Sequence, residues 1–334
     1  MAGRKKTKML SFLGTGTLGL FLVFSAAYAQ EEILGNTEPK TIPNLSSLGK
    51  FVQSTDAEIE SGLQRKVYLS PNRKYIAVSE SFYEQPVITS IKTIEGNAVT
   101  KTVIGSFRSW APDSSKVLLY VSNARSDEGR KLYSLDIKGE VTDLGLPSET
   151  TGADISPVDG SIVYTVTEEG SDATYLFVRN PDGRDELILK GDKIYAWPRW
   201  SPDGQLVALL ESDQYMHPGK QNLILIDLKN MDREQISKVA WNFAPSWSPD
   251  GAKIAFSNEG NIWEYSLSSN SLENISNFNR GVSEHPTYSE DGTVIVFSSD
   301  VTGKKQIWAV RGNEKLQLTE QQIGKDYPVI IEYE

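Results

Sequence analysis

Few side chains in this sequence are suited to bond-making chemistry. Histidine occurs twice, as His217 and His285, and cysteine not at all. Neither histidine has a second at ligand spacing, so a His-rich metal site and thiolate chemistry are both out of reach. The run Gly281-Val282-Ser283-Glu284-His285 approaches a nucleophile elbow but lacks the final glycine. Asp182-Gly183-Arg184-Asp185-Glu186 and Asp291-Gly292 contain pieces of a calcium loop without its D-x-D-x-D-G spacing, and read as turns. Acid pairs of the glycosidase kind can always be drawn from 44 Asp and Glu, so they carry no information. We therefore expect no catalytic residue, no metal and no cofactor.

Binding chemistry remains, and it depends on the elements that would position it. Six segments repeat one pattern, an aromatic or apolar residue, then Ser-Pro-Asp-Gly or a worn version, then a hydrophobic strand. They are YLSPNRKYIAVS from Tyr68, SWAPDSSKVLLY from Ser109, DISPVDGSIVYT from Asp154, RWSPDGQLVALL from Arg199, SWSPDGAKIAFS from Ser246 and TYSEDGTVIVFS from Thr287. Anchored on Ser70, Ala111, Ser156, Ser201, Ser248 and Ser289, they recur at about 41, 45, 45, 47 and 41 residues, the period of four-stranded propeller blades. The sequence predicts an all-β, six-bladed β-propeller of four-stranded antiparallel blades. The alternative of seven blades would need residues 31–60, with Pro39 and Pro43, to supply most of a blade. In SPDG, proline presets φ, aspartate can accept from the backbone ahead of it, and glycine takes positive φ. The preceding Trp110, Trp200 and Trp247 suit packing between blades.

Such a fold converts sequence position into a face. The turns between the first and second strands of each blade are tight, whereas 122–129, 212–219 and 145–152 are long connections on the opposite side. Insertions of this kind gather on binding faces. Four residues before each anchor stand Lys66, Phe107, Gly152, Trp197, Ala244 and His285, and one residue earlier Arg65, Ser106, Thr151, Ala196, Phe243 and Glu284. Lys66, Phe107, Trp197, Phe243, Glu284 and His285 are the candidate lining of a channel mouth for a peptide or a sugar. The alternative is that the aromatics pack between blades and the polar groups are solvated, because alternation along a strand does not say which face is inward.

The repeat, with WSPDG in full at Trp200–Gly204 and Trp247–Gly251, resembles the TolB-type propeller family, a WD-like blade also found in propeller domains of prolyl-oligopeptidase and dipeptidyl-peptidase relatives. The resemblance spans roughly Leu63 to Thr319. It implies the fold, and it implies function only weakly, since the same blade serves scaffolds, receptors and enzyme gates. Only about forty residues lie between the expected leader and the first repeat. That is too few for the α/β domain that TolB itself carries ahead of its propeller, and sets this chain apart from it. The last repeat ends shortly before Glu334, so no hydrolase domain of the peptidase kind is expected.

The N-terminus predicts export. Arg4, Lys5, Lys6 and Lys8 precede an apolar stretch from Leu10 to Ser25 and the small-x-small run Ala27-Tyr28-Ala29. This gives a signal peptide over 1–29, a partly disordered leader over 30–62, and the propeller with a C-terminal closing segment over 63–334. An uncleaved anchor is the alternative; either way the propeller lies outside the cytoplasm. Closure of the ring is expected from Tyr327–Ile331 or from residues around Lys50–Ser54. The formal charge is −10, and cleavage would remove only basic residues. An acidic surface argues against nucleic acid and suits a neutral or cationic partner. The expected function is that of a monomeric, non-catalytic extracytoplasmic scaffold binding a protein or peptide at the cell envelope. The alternative is a propeller enzyme or carbohydrate-binding protein acting on cell-wall or extracellular polymers.

Overall fold

The computed structural model describes residues 64–318, apart from 73, 82–85, 94–96, 123–129, 169, 171–172, 192, 214–220 and 240–244. The expected signal peptide, the leader, both candidate closing segments, His217 and Phe243 lie outside the described residues.

Six sheets of four antiparallel strands follow one another in chain order. Blade one holds β1 (Gln64–Leu69), β2 (Tyr75–Ser81), β3 (Ile88–Thr93) and β4 (Val103–Ile104). Blade two holds β5 (Ser106–Trp110), β6 (Lys116–Ser122), β7 (Arg130–Asp136) and β8 (Val141–Asp143). Blade three holds β9 (Thr150–Ile155), β10 (Ile162–Thr167), β11 (Thr174–Arg179) and β12 (Asp185–Lys190). Blade four holds β13 (Ile194–Trp200), β14 (Leu206–Ser212), β15 (Gln221–Asp227) and β16 (Arg233–Val239). Blade five holds β17 (Ser246–Trp247), β18 (Lys253–Asn258), β19 (Asn261–Ser266) and β20 (Ser271–Asn274). Blade six holds β21 (Ser283–Tyr288), β22 (Ile295–Ser299), β23 (Gln306–Arg311) and β24 (Glu314–Gln317). The architecture is the six-bladed propeller, and all six blades are complete within residues 64–317.

Period-two alternation sends neighbouring residues of one strand into different seams. In β6, Val117 and Leu119 face blade one with Ala77 and Ile91, while Leu118 faces blade three with Tyr164 and Ile155. In β14, Val207 and Leu209 join Val163 and Leu176 of blade three, and Ala208 and Leu210 join Ile254 and Phe256 of blade five. Ala255 and Ile262 of blade five meet Ile295 and Phe297 of blade six. On the far side of blade six, Val294, Val296, Ile307, Ala309 and Leu318 form a further buried cluster. Ile76 and Val78, which alternate with Ala77 in β2, are buried as well. Apolar residues on both terminal faces are thus withdrawn from water. Among the outermost strands, β8 is exposed at every position and β20 at three of four.

The Ser-Pro-Asp-Gly turns are a repeated hydrogen-bonded unit. Ser201 Oγ donates to Asp203 Oδ1 at 2.5 Å and accepts from the Leu206 amide, while the Gln205 amide donates to Asp203. The same set recurs with Ser248 and Asp250, with Ser289 and Asp291, and with Ser70 and Asn72. Gly204, Gly251 and Gly292 close these turns at φ 69°, 71° and 70°, which glycine adopts without strain. The turns also interlock around the face. A Cβ on Gly251 would lie 3.5 Å from Pro202 Cδ, and one on Gly292 would lie 3.5 Å from Pro249 Cδ.

Tryptophans clasp the seams. Trp110 is buried between blades one and two and donates its indole N–H to the Tyr68 carbonyl at 3.0 Å. Trp247 repeats the bond to the Arg199 carbonyl at 3.2 Å, but remains half-buried. Trp110→Ala should therefore lower stability by about 3–5 kcal/mol, the usual range for a buried aromatic truncation, and Trp247→Ala by clearly less. Denaturant unfolding of the two variants checks the order; equal losses, or a larger one at Trp247, would contradict it.

Candidate functional site

The six innermost strands line the axis, and their ladders carry the geometry that matters. In blade four the register runs Ala196 to Leu210 and then Arg199 to Ala208, so Trp197 and Pro198 together oppose Leu209. In blade six His285 and Pro286 oppose Phe297 in the same way, and in blade two Arg108 and Ser109 oppose Leu118. These are β-bulges, and proline, which has no N–H for the ladder, is suited to two of them. Trp197 and His285 sit there with φ of 55° and 56°, a left-handed backbone that non-glycine residues seldom adopt.

Each residue singled out from sequence can now be placed. Lys66 lies in β1, paired with Ser79. Phe107 is in the seam between blades one and two, 7% exposed, stacked on Tyr68 with ring centroids 3.9 Å apart. For this residue the packing alternative describes the structure. Trp197 is half-buried and packs on the core between blades four and five, with the Arg108 guanidinium 5.9 Å from its ring centre. Glu284 and His285 stand together. Glu284 Oε2 accepts from Lys305 Nζ at 2.5 Å and lies 3.7 Å from His285 Nε2. Lys305 comes from the loop between β22 and β23 and Glu284 from the entry to blade six, so these connections share a face, as expected. Opposite them, the first turn meets the third in blades two, four and five, through the amides of Ile137, Leu228 and Leu267 on the carbonyls of Ser115, Gln205 and Ala252.

The structure adds residues that the sequence reading did not name. Arg108 reaches from blade two toward Trp197 of blade four, its guanidinium 4.4 Å above the Tyr120 ring and bonded to the Phe107 carbonyl. The strand between them, in blade three, is bare at Gly152, where a Cβ would come within 3.0 Å of Pro198 Cδ. Two residues along, Asp154 accepts from the Trp200 amide at 3.0 Å and Arg199 provides a nearby positive charge. Burial pushes the Asp154 carboxyl up, against the pull of Arg199 and of that amide. Proline inside the strand pattern, at Trp197-Pro198 and His285-Pro286, was the available signal for the bulges. Nothing comparable flagged Arg108.

Comparison with known proteins was made against this geometry. Residues 151–325, more than half of the chain, match the TolB beta propeller domain. The chain belongs to that family. A 98-residue stretch, 28% of the chain, is 35% identical to the Tol-Pal system protein TolB of Alcanivorax borkumensis, covering 22% of that protein. The matches span less than half the length of the curated relatives concerned. Among solved structures, TolB from Acinetobacter baumannii superposes with a TM-score of 0.54 at 19% identity, over 67% of this chain and 56% of that one. Oligogalacturonate lyase from Vibrio parahaemolyticus gives 0.55 at 13%, over 73% and 76%. At these identities the likeness is one of fold. Among the described residues of this family member no group of three or more acids or histidines is disposed to hold a metal, and no helix is long and apolar enough to cross a membrane.

The Asp154 environment has a measurable consequence. A carboxyl raised above its unfolded value of 3.8 keeps its proton longer in the folded chain, so its contribution to stability declines as pH rises above that value. Asp154→Asn removes this decline. The variant's stability relative to the unsubstituted chain should improve as pH is taken from about 4 to neutrality, followed by thermal unfolding at each pH. A relative stability that falls over that interval would show that Arg199 and the Trp200 amide outweigh burial.

Proposed function

We propose that this propeller is a non-catalytic, extracytoplasmic scaffold that holds a protein or peptide partner of the cell envelope at the mouth of its channel. The observation that carries the reading is the strained, bulged backbone that presents Trp197 and His285 from the innermost strands of blades four and six. Backbone strain of this kind concentrates at functional sites. The recurrent serines and aspartates support the non-catalytic part, because each turn hydroxyl in the full copies is engaged by its own aspartate and backbone. Membership of the TolB propeller family and the export signal read from residues 1–29 support the envelope part. The polymer-directed alternative has one observation in its favour, the Glu284–His285 pair beside Lys305.

Two measurements test this. In pull-downs from envelope extract, Trp197→Ala should weaken capture of a partner by well over 1 kcal/mol, as loss of a central aromatic anchor does. Asp203→Ala, which only loosens a turn on the other face, should leave affinity unchanged. Capture that survives the first and fails with the second would put the site on the wrong face. Mass spectrometry of protein from its native host should find Gln30 as the first residue; an intact Met1 on soluble cytoplasmic protein would refute export.

A further inference from the structure

On the rim of tight turns, neighbouring turns touch. The Asn72 amide of blade one donates to Ser114 Oγ of blade two at 2.9 Å. A Cβ on Gly204 of blade four would lie 3.0 Å from Val158 of blade three, and those on Gly251 and Gly292 would each lie 3.5 Å from the proline of the preceding turn. Gly160 of blade three breaks the series. Among the described residues, a Cβ there would meet nothing within 4 Å. The blade-three turn is one residue longer: the Gly204 and Gly251 amides bond to Ser201 and Ser248, three residues back, whereas the Gly160 amide bonds to Ser156, four back. This longer turn leans on blade four through Val158. Between it and the blade-two turn lies a pocket of about 480 Å³, a volume typical of ligand sites.

The lining of this pocket is of two kinds. Pro112, Ile155, Val158, Ile162 and Pro181 give it apolar walls, and Asp113 and Asp159 line it, one from each blade. Both acids are exposed. Hydrogen bonds from Ser115 hold the Asp113 carboxyl below the usual carboxylate range. Against the upward push of burial, hydrogen bonds from Ser161 and Ser156 do the same for Asp159. A carboxylate has about four acceptor positions, and these turn contacts fill only part of them. Two basic groups also line the pocket. Arg179 is spent, with Nε and Nη2 on Asp185 at 2.8 and 2.7 Å and Nη1 on the Leu144 carbonyl at 2.6 Å. Lys116 is exposed, and its charge acts on Asp113. Apolar walls beside ionised carboxylates suit a side chain with an alkyl stem and a cationic head.

We propose that this pocket docks a peptide segment of a partner protein through a basic side chain, its stem against Val158 and Ile162 and its head taken by Asp113 and Asp159. Exposed Pro157, Val158 and Pro181 carry the apolar surface outward, where a chain would cover it and a free small cation would not. The site lies on the rim opposite the channel mouth and does not depend on the reading of that mouth.

Two fluorescein-labelled hexapeptide amides, titrated by anisotropy against the full chain, test it. Physiological ionic strength screens diffuse attraction to an acidic surface. One peptide holds two arginines flanked by leucines; the other has citrulline, similar in shape but uncharged, in their place. The first should bind at least about tenfold more tightly, the effect of one charged hydrogen bond. The double variant Asp113→Asn/Asp159→Asn, which keeps an acceptor oxygen for each turn, should abolish that preference. Asp203→Asn, the same change in the turn of blade four, should leave it intact. Thermal unfolding confirms that each variant is folded; should the double variant fail, Val158→Lys, at an exposed position, replaces it with the same expected loss. Equal binding of the two peptides, a preference that survives the folded acid-pocket variant, or one lost equally in Asp203→Asn overturns the proposal. A preference lost in Trp197→Ala places the peptide at the channel mouth and overturns it as well. N-acetylarginine amide competing as strongly as the peptide overturns the peptide assignment. A dimer in sedimentation that Val158→Lys dissociates means that a second copy fills the pocket, and overturns the assignment to a partner.

Discussion

A four-stranded blade has two faces, and here both are apolar. That single constraint organises the molecule, because neither face can be buried except against another blade. It explains why adjacent residues such as Val117 and Leu118, or Leu209 and Leu210, are all withdrawn from water although they point in opposite directions. It also explains the tryptophans before the turns. A ring the size of Trp110 fills the seam near the axis, and its one polar atom, which would otherwise be buried without a partner, finds the Tyr68 carbonyl of the neighbouring blade. The two ends of the array obey the same rule. Ile76 and Val78 on one side, and the Val294–Leu318 cluster on the other, are as dry as any internal seam.

The turns divide the two rims of the ring into different roles. In the full copies, serine and aspartate bond to each other and to the amides ahead of them, and the hydroxyl of Ser248 with the Ala252 amide holds the Asp250 carboxyl below the usual carboxylate range. Glycine and proline of successive turns then press together. A rim built this way has little freedom to vary. Blade three carries a worn copy: Val158 stands where other blades have aspartate or asparagine, is 63% exposed, and lines a pocket of about 480 Å³ between blades two and three. Variation that keeps the seams intact is confined to the opposite rim, where the connections enter the innermost strands.

The fold was legible because its determinants are local and repeated. Each SPDG turn specifies its own geometry within five residues, and each following strand announces its two-sided burial by being continuously apolar. The site was legible only in outline. Counting back from each anchor selected Trp197, Glu284 and His285 on the innermost strands, because the anchors fix register along the strand. It also selected Phe107, which the seam absorbs, and passed over Arg108 one position further on. The reason is physical. Alternation assigns a side chain to a face only while the ladder is regular, and the bulges in β5, β13 and β21 insert one residue and reverse the assignment beyond it. The pairs Trp197-Pro198 and His285-Pro286 mark where this happens in two blades; Arg108-Ser109 has no proline and gives no warning.

Charged groups on the innermost strands are tolerated for the same reason that the bulges are. The seams supply the stability, so the axis is free to carry groups that a packed core would reject. A buried carboxyl such as Asp154 is partnered there by an arginine and a backbone amide rather than by bulk water. A stacked guanidinium such as Arg108 is sustained by two rings that the seams already anchor. Each arrangement takes at least one partner from an adjacent or next-adjacent blade, so each is complete only when the blades are assembled. Recognition at the axis is in this sense a property of the assembled blades, and no single blade encodes it.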